Sequence, residues 1–189
     1  MMPMLAAAIE EHLGVFRRLH ELAAPIDDAA QRMADCIAAG GKLLFCGNGG
    51  SAADCQHIAA ELVGRFVKER PALPAVSLTV DTSALTCIGN DYGFEHVFAR
   101  QVKALGKPGD VLVAVSTSGN SANVLQAVQA ARETGLYSVG LSGRDGGSLR
   151  KAADICIVVP SDTTARIQEA HIFIGHYLCG QIEQRLGLV

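Results

Sequence analysis

Five short apolar runs, each followed by a stretch of helical periodicity, constrain this chain more than any other feature. Lys42–Cys46, Ala75–Val80, Asp110–Ser116, Tyr137–Ser142 and Asp154–Val159 are rich in valine, leucine and isoleucine and show little alternation. A strand open to water on one face alternates polar and apolar residues, whereas one covered on both faces does not. Between and after the runs, Ser51–Phe66, Phe94–Leu105, Ser121–Thr134 and Thr164–Leu186 carry apolar residues at helical spacing. Two more helices, Met4–Leu22 and Ile26–Ala39, precede the first strand, and Lys107-Pro108-Gly109-Asp110 is a turn that launches the third. Alternation of this kind predicts a three-layer αβα sandwich around a five-stranded, doubly wound parallel sheet of flavodoxin-like type, with extra N-terminal and C-terminal helices. A chain of 189 residues with no repeat or linker suits one domain, residues 1–40 forming an N-terminal helical part and 41–189 the α/β core.

Two serine-rich turns follow the first and third strands. They are Cys46-Gly47-Asn48-Gly49-Gly50-Ser51 and Ser116-Thr117-Ser118-Gly119-Asn120-Ser121. Strand order 2-1-3-4-5 would make those strands neighbours at the topological switch point, where ligands bind in such sheets. Glycines let the backbone approach a ligand, and free N–H groups at a helix start favour an anion. The hydroxyls add donors, and neither turn holds a lysine or arginine. The pair therefore points to a phosphorylated metabolite. Taken singly, each turn is equally a tight strand–helix connection, capped by Ser51 in one case and by Ser118 or Asn120 in the other. The first is neither a P-loop, for want of G-x-x-x-x-G-K-[ST], nor a dinucleotide fingerprint, for want of the third glycine in register.

Other features bound the function by exclusion. A net charge of −3 argues against a dedicated nucleic-acid surface. Apolar runs such as Val111 to Val115 fall far short of the roughly 20 residues that span a bilayer. The N-terminus reads as an amphipathic helix and not as a signal peptide. Six dispersed cysteines without a C-x-x-C pair imply reduced core thiols and a cytoplasmic location. Cys55 stands in the first turn of a helix but has no evident partner base.

Two helices supply candidate chemistry. His57, Glu61 and Arg65 recur every four residues and so share a face. That stripe is either a solvated Glu–Arg face or a general base or metal site with Arg65 steering an anion. On the last helix, Gln168, Ile172 and His176 recur likewise, and His176 stands in an otherwise apolar stretch beside Gly175. It is either a hydrogen-bonded core histidine or a site residue. His57, Glu61, Gln168 and His176 together make a possible two-helix site for zinc or another divalent ion, although no H-x-H or H-E-x-x-H motif marks it. Asp81-Thr82-Ser83 and Gly89-Asn90-Asp91-Tyr92-Gly93 read as polar loops placed to close over the same crevice. His12 and His20 are expected to face solvent or a subunit contact.

The two serine turns, Gly89-Asn90-Asp91 and Arg166-Ile167-Gln168-Glu169 together resemble the phosphoheptose isomerases of the SIS (sugar isomerase) fold. The resemblance runs through essentially the whole chain, with the motifs in the same order. It implies interconversion of sedoheptulose 7-phosphate and D-glycero-D-manno-heptose 7-phosphate, at the start of bacterial heptose nucleotide synthesis. It also implies a homotetramer whose sites lie at subunit interfaces, and one zinc per subunit with no nucleotide cofactor. By position, Ser51, Ser116, Thr117, Ser118 and Ser121, with Gly49 and Gly50, would hold the phosphate. Asn48, Asn90 and Asp91 would hold the sugar, and Arg65 would reach a neighbouring site. Glu61 would be the base and His176 its acid or base partner, with His57, Glu61, Gln168 and His176 as zinc ligands. Ala165 departs from the pattern, since some members carry an aspartate there. Two other readings fit the resemblance: a non-catalytic SIS protein bound to the replication initiator, and an isomerase of another ketose phosphate. Retention of both Glu61 and His176 favours the enzyme over the first.

Overall fold

The computed structural model describes residues 4–189. Helices α1 (Met4–Arg18) and α2 (Ala23–Ala38), joined by a 3₁₀ turn at Leu19–Leu22, precede the sheet. Then come β1 (Leu43–Gly47), α3 (Gly50–Val63), β2 (Ala75–Ser77), α4 (Thr82–Tyr92), a 3₁₀ turn (Phe94–His96) and α5 (Ala99–Leu105). The remainder is β3 (Val111–Val115), α6 (Ala122–Glu133), β4 (Tyr137–Gly143), a short α7 (Leu149–Ala152), β5 (Ile155–Val159) and the long α8 (Thr164–Arg185). All five strands are parallel in the order β2-β1-β3-β4-β5, as expected.

Successive strand residues point to opposite faces, so the central strands feed two cores. Leu43 and Phe45 of β1, with Val111, Val113 and Val115 of β3, pack under α2, α3 and α8. Leu44 and Cys46, with Leu112 and Ala114, pack under α5 and α6. Both strands are buried at every position, which is why they show no alternation. Cys55 belongs to the first core, 1% exposed, and burial pushes its thiol well above the ordinary range. The described residues hold no disulfide, and no helix among them is long and apolar enough to cross a membrane.

Three expectations about local structure are corrected. The segment read as two polar loops is largely one helix, α4. Asp81 caps it by accepting the Ala84 N–H at 2.9 Å, and Leu85 and Ile88 turn inward onto the second core. Helix α3 stops at Val63, because Gly64 leaves helical geometry (φ −79°, ψ −105°). Arg65 therefore falls outside the helix and off the face carrying His57 and Glu61. Neither α3 nor α6 is capped by a side chain; their caps are the backbones of Gly49 and Ser121.

Candidate functional site

The register pairs Cys46 with Ala114 and Gly47 with Val115, so the two serine turns leave the sheet side by side at the same height. Each turns on a glycine with positive φ, Gly49 at +56° and Gly119 at +65°. Ser116 and Ser121 share a hydroxyl hydrogen bond of 2.9 Å across the second turn. Ser51 and Ser116 are buried, Thr117, Ser118 and Ser121 half-buried, and Gly49 and Gly50 exposed. The N-cap residues of α3 and α6, Gly49 and Ser121, make no side-chain cap, which suits an anion held by backbone donors.

A residue missed in the sequence joins the turns. Asn48 and Asn123 exchange amide hydrogen bonds, 2.8 Å in each direction, and Asn123 Oδ1 also accepts the Val124 N–H at 3.0 Å. Asn123 is 3% exposed in the first turn of α6. An asparagine there reads as ordinary helix-start chemistry until the adjacency of the two loops is known. The amide of Asn48, expected to meet a sugar, is thus engaged in bracing the two turns.

Helix α8 lies over the first turn. A Cβ on Gly50 would stand 2.5 Å from Gln168 Nε2, so any side chain there would displace that amide from the turn. The neighbours of Gln168 point elsewhere. Ile167 is fully buried, while Arg166 donates to the Ala8 carbonyl at 2.8 Å and Glu169 meets His12 Nδ1 at 2.8 Å, both on α1. His12 thus contacts its own chain and is half-buried.

Two turns further along α8, His176 meets α3. Its Nε2 is 3.0 Å from His57 Nε2, and His57 Nε2 is 3.2 Å from Glu61 Oε1. One ligand atom from each residue falls within 4.8 Å of the other two. Two imidazole nitrogens facing each other at hydrogen-bond distance repel unless a proton or a cation lies between them. Two imidazoles and a carboxylate are also the donor set of open, three-ligand zinc sites. These residues therefore fit a divalent ion. The ring of Phe66 stacks on His176, with centroids 5.5 Å apart and planes at 19°.

Asp54, one turn before His57, was also missed. Burial holds its carboxyl above the usual range, against the opposing pull of His57 and His176, and its Oδ2 is buried without a partner. The remaining candidates stay apart from this cluster. The side-chain hydrogen bonds of Asn90 and Asp91 run to each other and to Cys87, near the exposed end of α4. Arg65 is exposed and donates to the Val67 carbonyl at 3.0 Å.

A five-stranded parallel sheet with paired hydroxyl turns at its switch point, and an imidazole–carboxylate cluster beside them, defines a phosphosugar-handling α/β domain. The SIS domain model matches residues 9–143. The phosphoheptose isomerase of Rhodospirillum rubrum is 58% identical over 171 residues, covering 90% of this chain and 91% of the relative. That of Trichlorobacter lovleyi is 50% identical, covering 98% and 95%. A solved phosphoheptose isomerase from Neisseria gonorrhoeae superposes with a TM-score of 0.90 at 50% identity, covering 95% of this chain and 97% of that one. The chain belongs to the SIS-domain family and, within it, to the phosphoheptose isomerases.

Proposed function

We propose that this isomerase interconverts sedoheptulose 7-phosphate and D-glycero-D-manno-heptose 7-phosphate by proton transfer through an enediol, with Glu61 and His176 as the acid–base pair. The observation that carries the assignment is the meeting of Glu61, His57 and His176 from two helices, one of which, α3, begins at a serine turn. Ser51, Ser116, Thr117, Ser118 and Ser121, with the N–H groups of Gly49 and Gly50, take the phosphate. Gln168 lies over the same turn and faces the sugar chain. Holding the phosphate fixes the distance from C7 to C1 and supplies orientation without entering the chemistry.

Glu61 takes a proton from C1, the C1–H electron pair becomes the C1=C2 bond, and the C2 carbonyl oxygen gains a proton. The resulting cis-enediol receives a proton at C2 and loses one from O1, leaving an aldehyde at C1. His176 serves the protons at C2 and the oxygens. His57, Glu61 and His176 would hold zinc, with Gln168 as a proposed fourth ligand, and the ion when bound would supply Lewis-acid polarisation of the carbonyl oxygen. Oε1 of Glu61 faces His57, which leaves Oε2 for C1. Asn90, Asp91 and Arg65 lie apart from the cluster within one chain, and we assign them to the site of a neighbouring subunit in a cytoplasmic homotetramer. Exposed Leu5, Ile9, Phe173 and Tyr177 on α1 and α8 support burial of those helices between subunits.

A coupled assay with sedoheptulose 7-phosphate, with chelator and with added zinc, tests the function. Glu61→Gln and His176→Gln should each lower turnover by about 100- to 10,000-fold while the folded assembly persists. Turnover surviving both changes refutes the roles, and no aldose under any metal condition from the unaltered chain refutes the function.

A further inference from the structure

The acid–base pair sits on two helices that share no strand, so something must fix their relative register. Arg70 lies in the connection between α3 and β2, in a Lys68-Glu69-Arg70-Pro71 run that reads as solvated surface. It is instead buried, its side chain 1% exposed, and opposed by Glu183 of α8, 2% exposed. Arg70 Nε donates to Glu183 Oε1 at 2.8 Å. Nη2 donates to the carbonyl of Glu61 at 2.8 Å, and Nη1 to those of Leu62 (2.7 Å), Gly64 (3.1 Å) and Pro71 (3.0 Å). The last turn of a helix leaves carbonyls without partners and carries a partial negative charge, and a guanidinium satisfies both needs at once. Glu183 Oε1 also accepts the backbone N–H of Phe66 at 3.4 Å, and the Phe66 ring stacks on His176.

We propose that Arg70 and Glu183 are positioning residues for the isomerase reaction: a buried clasp that holds the main chain of Glu61 and the ring support of His176 in one frame. The proposal rests on the acid–base roles given above. Neither residue touches the serine turns, so phosphate binding should be indifferent to the clasp. Lysine cannot replace the arginine, because one ammonium on a flexible stem cannot serve Glu183 and the α3 carbonyls together.

The test uses Arg70→Lys and Glu183→Gln in the full chain, with kcat and KM for sedoheptulose 7-phosphate and the imidazole NMR signals of His176. A displacement of about 1 Å at the reacting groups costs about 100-fold, so Arg70→Lys should lose kcat on that scale with KM unchanged. Its His176 signals should move as the Phe66 ring current is lost. Glu183→Gln keeps an acceptor and should lose kcat less, with a smaller shift of the same signals; it carries the test if Arg70→Lys does not fold. A lowered unfolding midpoint with unaltered kcat, or a raised KM alone, overturns the proposal. If the unaltered chain forms no aldose, the isomerase reading fails separately. The NMR signals then decide the clasp, and unmoved His176 resonances in both variants overturn it.

Discussion

Gly175→Ala tests whether contact between α3 and α8 sets the catalytic geometry. Gly175 is buried beside His176, and a Cβ there would lie 2.6 Å from Ile58 Cδ1 and 2.7 Å from its Cγ1. Alanine in a helix interior is worth about 0.5–1 kcal/mol over glycine. Overpacking a filled core costs about 1–3 kcal/mol, so the variant should be destabilised by about 1–2 kcal/mol in spite of its better helix propensity. Ile58→Ala alone should cost about 2–5 kcal/mol through lost burial and a cavity. In the double variant both clashing atoms are gone and the nearest remaining one, Ile58 Cβ, is an ordinary 3.9 Å away. The two changes should therefore couple favourably by about 1–3 kcal/mol, with the new methyl partly refilling the cavity. Urea midpoints at one protein concentration, with the slope checked for constancy, measure the cycle. The kcat of Gly175→Ala should fall about 10- to 100-fold, since the strain moves His176 relative to Glu61. Free energies that add within about 0.5 kcal/mol refute the reasoning, as does a Gly175→Ala protein more stable than its parent.

Three further outcomes follow from the same structure. Gly119→Ala should cost at least about 2 kcal/mol and weaken phosphate binding, because a Cβ there meets the Gly146 carbonyl as well as an unfavourable φ. Gly109→Ala, at φ +91° but with open space, is the control that isolates the backbone cost, both read from urea midpoints. His171 is fully buried and donates Nε2–H to the Ser142 carbonyl at 3.0 Å, and burial pushes its pKa down to about 4 despite that bond. Its neutral form therefore stabilises the fold fully above about pH 6.5, by roughly 3 kcal/mol, and the contribution is lost as pH falls toward 4. His171→Asn should flatten the midpoint-against-pH curve in that window while lowering stability at pH 7.5. Finally, protein purified from zinc-supplemented cells should carry metal by elemental analysis, and His57→Ala should lose it with most of the turnover.

Burial on both faces made β1, β3 and β4 legible, since an uninterrupted apolar run has few other homes in a chain this short, whereas the edge strand β2 ends at Ser77, short of the expected Val80, with Val76 exposed. The serine turns were legible because strand order alone places them together. Helix α4 was not, because Gly89, Asn90 and Asp91 carry turn chemistry that one cap at Asp81 and two inward residues overrode. Arg65 kept the periodicity of His57 and Glu61 in sequence, but spacing cannot see the helix end at Gly64. The Asn48–Asn123 brace and the Arg70–Glu183 clasp each join residues far apart in the chain. No periodic pattern carries such contacts.

Helix α8 connects the first serine turn to the His57–Glu61–His176 cluster. Along one helix, Arg166 and Glu169 grip α1, Gln168 lies over the first turn, and His171 reaches the end of β4. His176 then meets His57, and Glu183 holds Arg70. Residues on a helix turn by about 100° and rise 1.5 Å each, so these contacts are satisfied together only in one register. In the proposed reaction the substrate would span the same two regions, phosphate at the turns and C1 at Glu61. One continuous helix, α8, would then set the spacing between the phosphate and the reacting carbons. On that reading, chain-length preference would be set by the spacing of the two regions, and aldose formation from ketose phosphates of five, six and seven carbons measures it.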